Sequence, residues 1–154
     1  MAKNDNNKNQ NNQLDEDVLE IRRVTRVMSG GKRFSFRAVV GVGNRDGEVG
    51  VGMGKGKDVA KAISKAKKQA KKNKIETELK EDRTIPYDIE SKYGAAKVLL
   101  KPTREGHGLI AGGAVRSVLD LVGVEDISAK ILGGSSNKLN NARATVKALK
   151  EFSS

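Results

Sequence analysis

The chain contains no cysteine and no tryptophan. Disulfides, thiolate metal sites and cysteine nucleophiles are therefore excluded. It has one histidine, His107. With no second histidine and no cysteine, it lacks the ligands of a transition-metal site, so no metal and no cofactor are expected. No pocket or partner legible in the sequence makes His107 a general base, and no catalytic residue is assigned. Aromatics are scarce: Phe34, Phe36, Tyr87, Tyr93 and Phe152. Single-strand binders stack bases on exposed aromatics, and this chain has little to stack with. Phe34 and Phe36 alternate on one predicted strand and read as core residues. No apolar run is long enough to cross a membrane. The polar N-terminus lacks the apolar segment of a secretory signal, which points to the cytoplasm. Acids are the minority charge, 19 against 30 Lys and Arg, giving a net charge of +11. That is the electrostatic footprint of a nucleic-acid binder.

The chemistry that is present concentrates in residues 30–74. Phe34, Phe36, Ala38 and Val40 alternate with Arg33, Ser35 and Arg37, the period of a half-buried strand. A turn signal at residues 44–47 follows. Val49, Val51 and Met53 then alternate with Gly50, Gly52 and Gly54. Such a strand has one face without side chains, so another backbone can approach it closely. A helix comes next, with Val59, Ile63, Ala66 and Ala70 as its apolar stripe. Lys61, Lys65, Lys68 and Lys72 repeat that spacing on another face. Nine of residues 55–74 are lysine, and Asp58 is the only acid among them. Like charges at i,i+4 destabilise a free helix, and a polyanion relieves the repulsion. The apolar face is mostly alanine, with no large aromatic to insert, so a membrane-surface role does not fit.

Upstream, Arg22, Arg23, Arg26, Lys32 and Arg33 flank a Ser29-Gly30-Gly31 turn. A long hairpin with a glycine tip and basic arms is shaped to probe RNA grooves. The alternative is an ordinary hairpin whose charged edge blocks aggregation. Contacts to phosphate and sugar and recognition of folded RNA shape fit this composition best. Lys55, Lys57, Lys61, Lys65 and Lys68 extend the phosphate contacts. Backbone near Gly30, Gly31, Gly50 and Gly52 is expected to let RNA approach. Counterion release would supply much of the affinity.

The expected organisation is an Asn-rich disordered tail at 1–13, a first domain at 14–80, a linker at 81–87 and a second domain at 88–154. The tail has no apolar periodicity. The first domain reads strand, hairpin loop, strand, turn, strand, helix, with a further extended piece near residues 75–79. The second reads as a small βαβα unit: a strand at 97–101, a helix marked by Ala111, Val115, Val118 and Val122, a strand at 127–131, a turn at 133–137, and a last helix with Leu139, Ala142, Val146 and Leu149. The fold class is α+β.

Gly106-His107-Gly108-Leu109-Ile110-Ala111 fits the G-x-G-x-x-A variant of a dinucleotide fingerprint, with Asp126 about twenty residues on. Pro102 separates the strand from the glycines, however, and too few βα units follow for a dinucleotide fold. The bland reading is that the glycines pack against a neighbour while the helix N-terminus faces a phosphate or partner. Residues 50–57 contain no register of the P-loop spacing. The carboxylate pairs Glu16/Glu20 and Glu78/Glu81 read as solvated surface. Two alternatives to a structural RNA-binding role remain: a nucleotide-dependent enzyme using the Gly106 loop, and a generic RNA chaperone or DNA-compacting protein.

Gly31-Lys32-Arg33-Phe34-Ser35-Phe36-Arg37, Gly43-Asn44, Gly47-Glu48-Val49-Gly50-Val51-Gly52-Met53-Gly54-Lys55 and Val59-Ala60-Lys61-Ala62-Ile63 resemble the signature of the small-subunit ribosomal protein five family, bacterial type. The second half matches too, through Lys101-Pro102, Glu105-Gly106, the run from Gly108 to Gly113, Val115-Arg116 and Asn141-Ala142-Arg143-Ala144-Thr145. The resemblance covers about residues 14–152, and two separate motifs occur in the family's order.

The resemblance implies a double-stranded-RNA-binding-like first domain followed by the family's small second domain, and no enzymatic activity. It implies binding to small-subunit ribosomal RNA, support for assembly of the subunit body, and contacts with ribosomal proteins four and eight. It also implies a place near the messenger RNA entry channel and an effect on decoding accuracy. Arg23, Arg26 and Lys32 fall on the hairpin that, in the family, reaches RNA near the spectinomycin site. Gly106, Gly108 and Arg116 fall on the protein-four-facing region. His107 replaces the threonine common in the family. Ser154 ends the chain where many members carry a longer tail, so contacts made by that tail are expected to be absent. The Asn-rich leader matches no family motif and is expected to be dispensable.

Overall fold

A computed structural model describes residues 14–133 and 137–152. The tail at 1–13 and the centre of the turn at 133–137 lie outside the described residues. Strand β1 (Asp15–Met28) and strand β2 (Gly31–Gly43) form a long antiparallel hairpin. Strand β3 (Glu48–Gly56) returns along β2, and helix α1 (Val59–Lys72) follows. A two-residue strand, β4 (Ile75–Glu76), closes the first sheet in the order β1-β2-β3-β4.

Alpha1 docks on the side-chain-free face of β3. Its buried residues are Ala62, Ala66 and Ala70, one position offset from the expected stripe at its N-terminal end; Val59 and Ile63 are only half-buried. The reason is steric. Gly50, Gly52, Gly54 and Gly56 leave room for a helix backbone, and only alanine is small enough at the seam. A Cβ on Gly54 would sit 2.5 Å from the Ala62 carbonyl oxygen. Asp58 caps the helix, accepting from the Lys61 N–H at 2.8 Å. Glu16, expected to be solvated, pairs with Lys67 at 2.6 Å and ties β1 to the helix.

The second domain has two strands more than the expected βαβα unit. Strand β5 (Ile89–Tyr93) pairs with β6 (Ala96–Pro102), and the short β7 (Leu109–Ile110) runs parallel to β8 (Ile127–Ile131). The sheet order is β5-β6-β8-β7, so β6 and β8 are antiparallel neighbours. Helix α2 (Gly113–Val122) links β7 to β8, and α3 (Lys138–Lys150) follows, capped by Asn137. Beta5 and β7 escape a sequence reading because β5 is mostly polar and β7 has two residues.

The molecule stacks as helix, sheet, helix pair, sheet. Alpha2 and α3 lie between the two sheets, and α2 buries Ala114, Val115, Val118, Leu119, Leu121 and Val122 while Arg116 and Asp120 stay exposed. One core runs across both domains, joining Val39, Val49 and Val51 of the first sheet to Leu119 and Leu121 of α2 and Leu149 of α3. The β2–β3 turn is fastened to α2: Arg45 N–H donates to the Leu121 carbonyl at 2.9 Å, and Gly47 N–H to that of Val122 at 3.0 Å. Thr77 Oγ1 donates to the Leu149 carbonyl at 2.8 Å. The segment read as a linker is also packed, with Ile85 fully buried.

Candidate nucleic-acid interface

The C-terminal half of β2 is covered on both faces, by α1 and by the second domain, whereas its N-terminal half and all of the hairpin beyond run out into solvent. Residues 21–34 are exposed without exception. Register then places the cations. Arg22 faces Arg37, and Arg37 faces Lys55, so three cations form one row across three strands. Arg26 faces Arg33 on the same face, two steps nearer the tip, with the uncharged Val24–Ser35 pair between. Directly opposed residues on neighbouring strands stand about 4.5–5.5 Å apart at Cβ, where like charges are destabilising. Glu20, at 3.1 Å from Arg22, is the acid paired with this row. Arg37 was not among the expected contacts. Its signal was available, because it shares the parity of Arg33 on the same strand.

Arg23 and Lys32 lie on the other face of the hairpin. The Arg23 guanidinium stacks over Phe34 at 4.1 Å from the ring centroid, and Phe34 is 46% exposed. Phe34 is therefore not a core residue. It sits past the end of α1, which does not reach it, while Phe36 is half-buried against the cluster that includes Ala38, Val40 and Ala62. At the tip, Ser29, Gly30 and Gly31 are exposed; Gly31 has φ 129° and open space where a Cβ would be.

Lys55, Lys57, Lys61, Lys65 and Lys68 are all exposed. Lys61 is 4.0 Å from Asp58; no ion pair of Lys65 or Lys68 occurs among the described residues. The expected cations are thus divided between two faces of the sheet and the outer side of α1. Gly50 and Gly52 do not belong with them. Both are buried, and the backbone that approaches them is that of α1, leaving no room for RNA.

The Gly106 loop is organised by Asp126. This carboxylate is buried, accepts from the Gly108 N–H at 2.9 Å and lies 3.4 Å from Arg83 Nη1. Arg83 also donates to Glu81 at 3.0 Å and to the Thr103 carbonyl at 3.0 Å. Burial opposes the Arg83 charge, but the hydrogen bond and charge of Glu81, and then those of Asp126, outweigh it and raise its pKa. An acid engaged in this way cannot serve a ribose. The glycines also lead into β7 rather than a helix, so the dinucleotide reading fails on geometry. Gly106 and Gly108 have φ of 89° and 85° with open space around them. Glycine is required there by conformation and not by packing against a neighbour. Gly106 and Arg116, the latter in the first turn of α2, are exposed, and Gly108 is half-buried.

Among the described residues, no cluster of three or more His, Asp or Glu could hold a metal ion, and no helix is long and apolar enough to cross a membrane.

Two family models match the chain: ribosomal protein S5, N-terminal domain, over residues 14–78, and ribosomal protein S5, C-terminal domain, over residues 91–154. The small ribosomal subunit protein uS5 of Acaryochloris marina is 50% identical over 147 residues, covering 96% of this chain and 82% of the relative. That of Picosynechococcus sp. is 50% identical over 147 residues, covering 96% and 84%. The uS5c protein of Cyanophora paradoxa is 52% identical over 134 residues, covering 87% and 79%.

Proposed function

This chain belongs to the ribosomal protein S5 family, and from that premise we propose that it binds small-subunit ribosomal RNA through the cationic hairpin and the lysine face of α1. It is a structural constituent of the small ribosomal subunit, not an enzyme, and works ribosome-bound in the cytoplasm or a plastid, with ribosomal RNA and ribosomal proteins as its partners.

The observation that carries the RNA reading is the row Arg22–Arg37–Lys55, with the Arg26–Arg33 pair on the same face further toward the tip. Five cations held in register cost stability in the free protein, and phosphates are the partners that offset this. Arg23, Lys32 and the tip at Ser29–Gly31 present a second contact face. Lys57, Lys61, Lys65 and Lys68 present a third. The four-layer body sets these faces apart, so the protein joins RNA segments that approach from different sides and supports assembly of the subunit body. Gly106 and Arg116, exposed before and at the start of α2, with the half-buried Gly108 between them in the chain, form a surface for a neighbouring ribosomal protein. Protein four fits there, with protein eight a further neighbour. A place near the messenger RNA entry channel, with the Gly106, Gly108 and Arg116 surface against protein four, accounts for an influence on decoding accuracy.

The test is binding of the purified chain to small-subunit ribosomal RNA across a salt series. R26Q/R33Q is expected to reduce the slope of log K against log salt by about 0.7–0.9 per lost phosphate contact. An unchanged slope removes the hairpin from the interface.

A further inference from the structure

A groove of about 440 Å³ lies between the first domain and α3, away from the hairpin and from the outer side of α1. Its apolar floor is Val51, Ile75 and Val146. Its wall is cationic. Arg143, Lys147 and Lys150 stand at i, i+4 and i+7 of α3, on one face and spread over about 10.5 Å of helix axis at 1.5 Å per residue. Two of them are held in place. Arg143 Nη1 donates to the Tyr93 hydroxyl at 3.2 Å, with its guanidinium 5.6 Å from the ring centroid, and Lys147 Nζ donates to the Lys92 carbonyl at 3.1 Å. Tyr93 forms the rim and is 38% exposed.

Charge decides what fits. Among the described residues no Asp or Glu lines this groove. The hollow beside the β2–β3 turn, by contrast, is lined by Asp46, Glu48, Glu76 and Glu78. A concave site with three cations along one wall, an apolar floor and an aromatic–guanidinium pair at the rim has the parts needed for a nucleotide strand. The cations take phosphates, the floor takes ribose or base, and the Tyr93–Arg143 pair offers a surface on which a base stacks.

We propose that the Tyr93–Arg143–Lys147 groove is a second RNA site, which takes an unpaired RNA strand rather than a duplex. The proposal rests on the RNA-binding reading above and adds to it a site on the second domain. A duplex buries its bases and cannot use the floor or the rim, so this groove discriminates where the hairpin and α1 act on backbone charge.

The experiment uses the full chain with a single-stranded RNA oligonucleotide of mixed sequence, the duplex of the same sequence, and poly-glutamate as a competitor. R143Q/K147Q is expected to reduce the single-strand salt slope by about 1.4 units, at about 0.7 per phosphate. Tyr93→Ala is expected to weaken single-strand binding at least about five-fold with the slope unchanged, and to leave duplex binding as it was. These side chains are partly or fully exposed, so circular dichroism should match the parent. If R143Q/K147Q binds like the parent while K61Q/K65Q/K68Q binds more weakly, the groove proposal falls and the general RNA reading stands. If the parent binds neither RNA, that reading falls as well. Equal competition by poly-glutamate and by single-stranded RNA of matched charge would make the groove a protein-docking site and overturn the proposal.

Discussion

Gly52 lies directly under Ala66: a Cβ on the glycine would sit 2.5 Å from the alanine's carbonyl oxygen. The same relation links Gly54 to Ala62 along the strand. The lysine-rich helix has few large apolar residues with which to dock, so its attachment depends on how closely its backbone approaches the sheet. Replacing Gly52 by alanine forces the two apart. The expected loss is about 1–3 kcal/mol, the range for overpacking. Urea denaturation followed by circular dichroism measures it. An unchanged midpoint would mean that the helix is not seated on these glycines.

The lysines of α1 make a prediction of two opposite signs. K61Q/K65Q/K68Q removes two i,i+4 repulsions (Lys61/Lys65 and Lys68/Lys72) and two i,i+3 repulsions (Lys65/Lys68 and Lys68/Lys71), each about 0.2–0.5 kcal/mol in the free helix, against the loss of the exposed Lys61–Asp58 pair. The free protein should therefore melt slightly higher. Its binding to ribosomal RNA should weaken across sequences, and the salt slope should fall by about one unit per lost contact. A triple variant that loses stability without any change in slope would place this face outside the interface.

Asp126 joins the 81–87 segment to the Gly106 loop. In Asp126→Asn the amide can still accept from the Gly108 N–H, but the charge facing Arg83 is gone. Removing the charge of a largely buried, hydrogen-bonded partner is expected to cost about 1–3 kcal/mol. Hydrogen exchange should report it locally, as faster exchange at Gly108 and at Glu125 and Asp126, whose N–H groups bond the Arg83 carbonyl. Uniform protection in the variant would contradict this role.

Arg45 occupies the left-handed region, with φ 58°, and bridges the domains by ion pairs to Asp15 at 2.6 Å and Asp120 at 3.0 Å. The Asp15 hydrogen bond is the main cause of its raised pKa, against some desolvation, with Asp120 adding to the rise. Both pairs are about half exposed, so each contributes about 0.2–1 kcal/mol. Arg45→Ala should lose them and keep the backbone strain. Arg45→Gly should lose them and relieve a left-handed conformation that costs about 1–2 kcal/mol for an L-residue. The glycine variant should therefore be the more stable of the two by thermal melting. The reverse order would show that the strain is absent.

Much of the first domain could be read in the sequence because its signals are local. The hairpin arms, the turn at 44–47, the glycine strand and α1 all follow from residues near one another in the chain. What escaped depends on partners distant in sequence. Val39 has the parity of a solvent-facing residue on β2, yet it is fully buried, because α2 covers that face. Phe34 has the parity of a core residue, yet it is exposed, because α1 ends short of it. The cations of the hairpin were legible as types, but their alignment in rows is a matter of register. Arg37 joins them only once β2 lies between β1 and β3. Arg143 and Lys147 looked like an ordinary helix surface, since Val51 and Ile75 of their groove's floor come from β3 and β4.

The most direct measurement is sucrose-gradient sedimentation of a gentle lysate from cells expressing the chain, with each fraction probed for the protein after a high-salt wash. The account predicts stoichiometric comigration with the small ribosomal subunit. A peak that remains at the top of the gradient would contradict it.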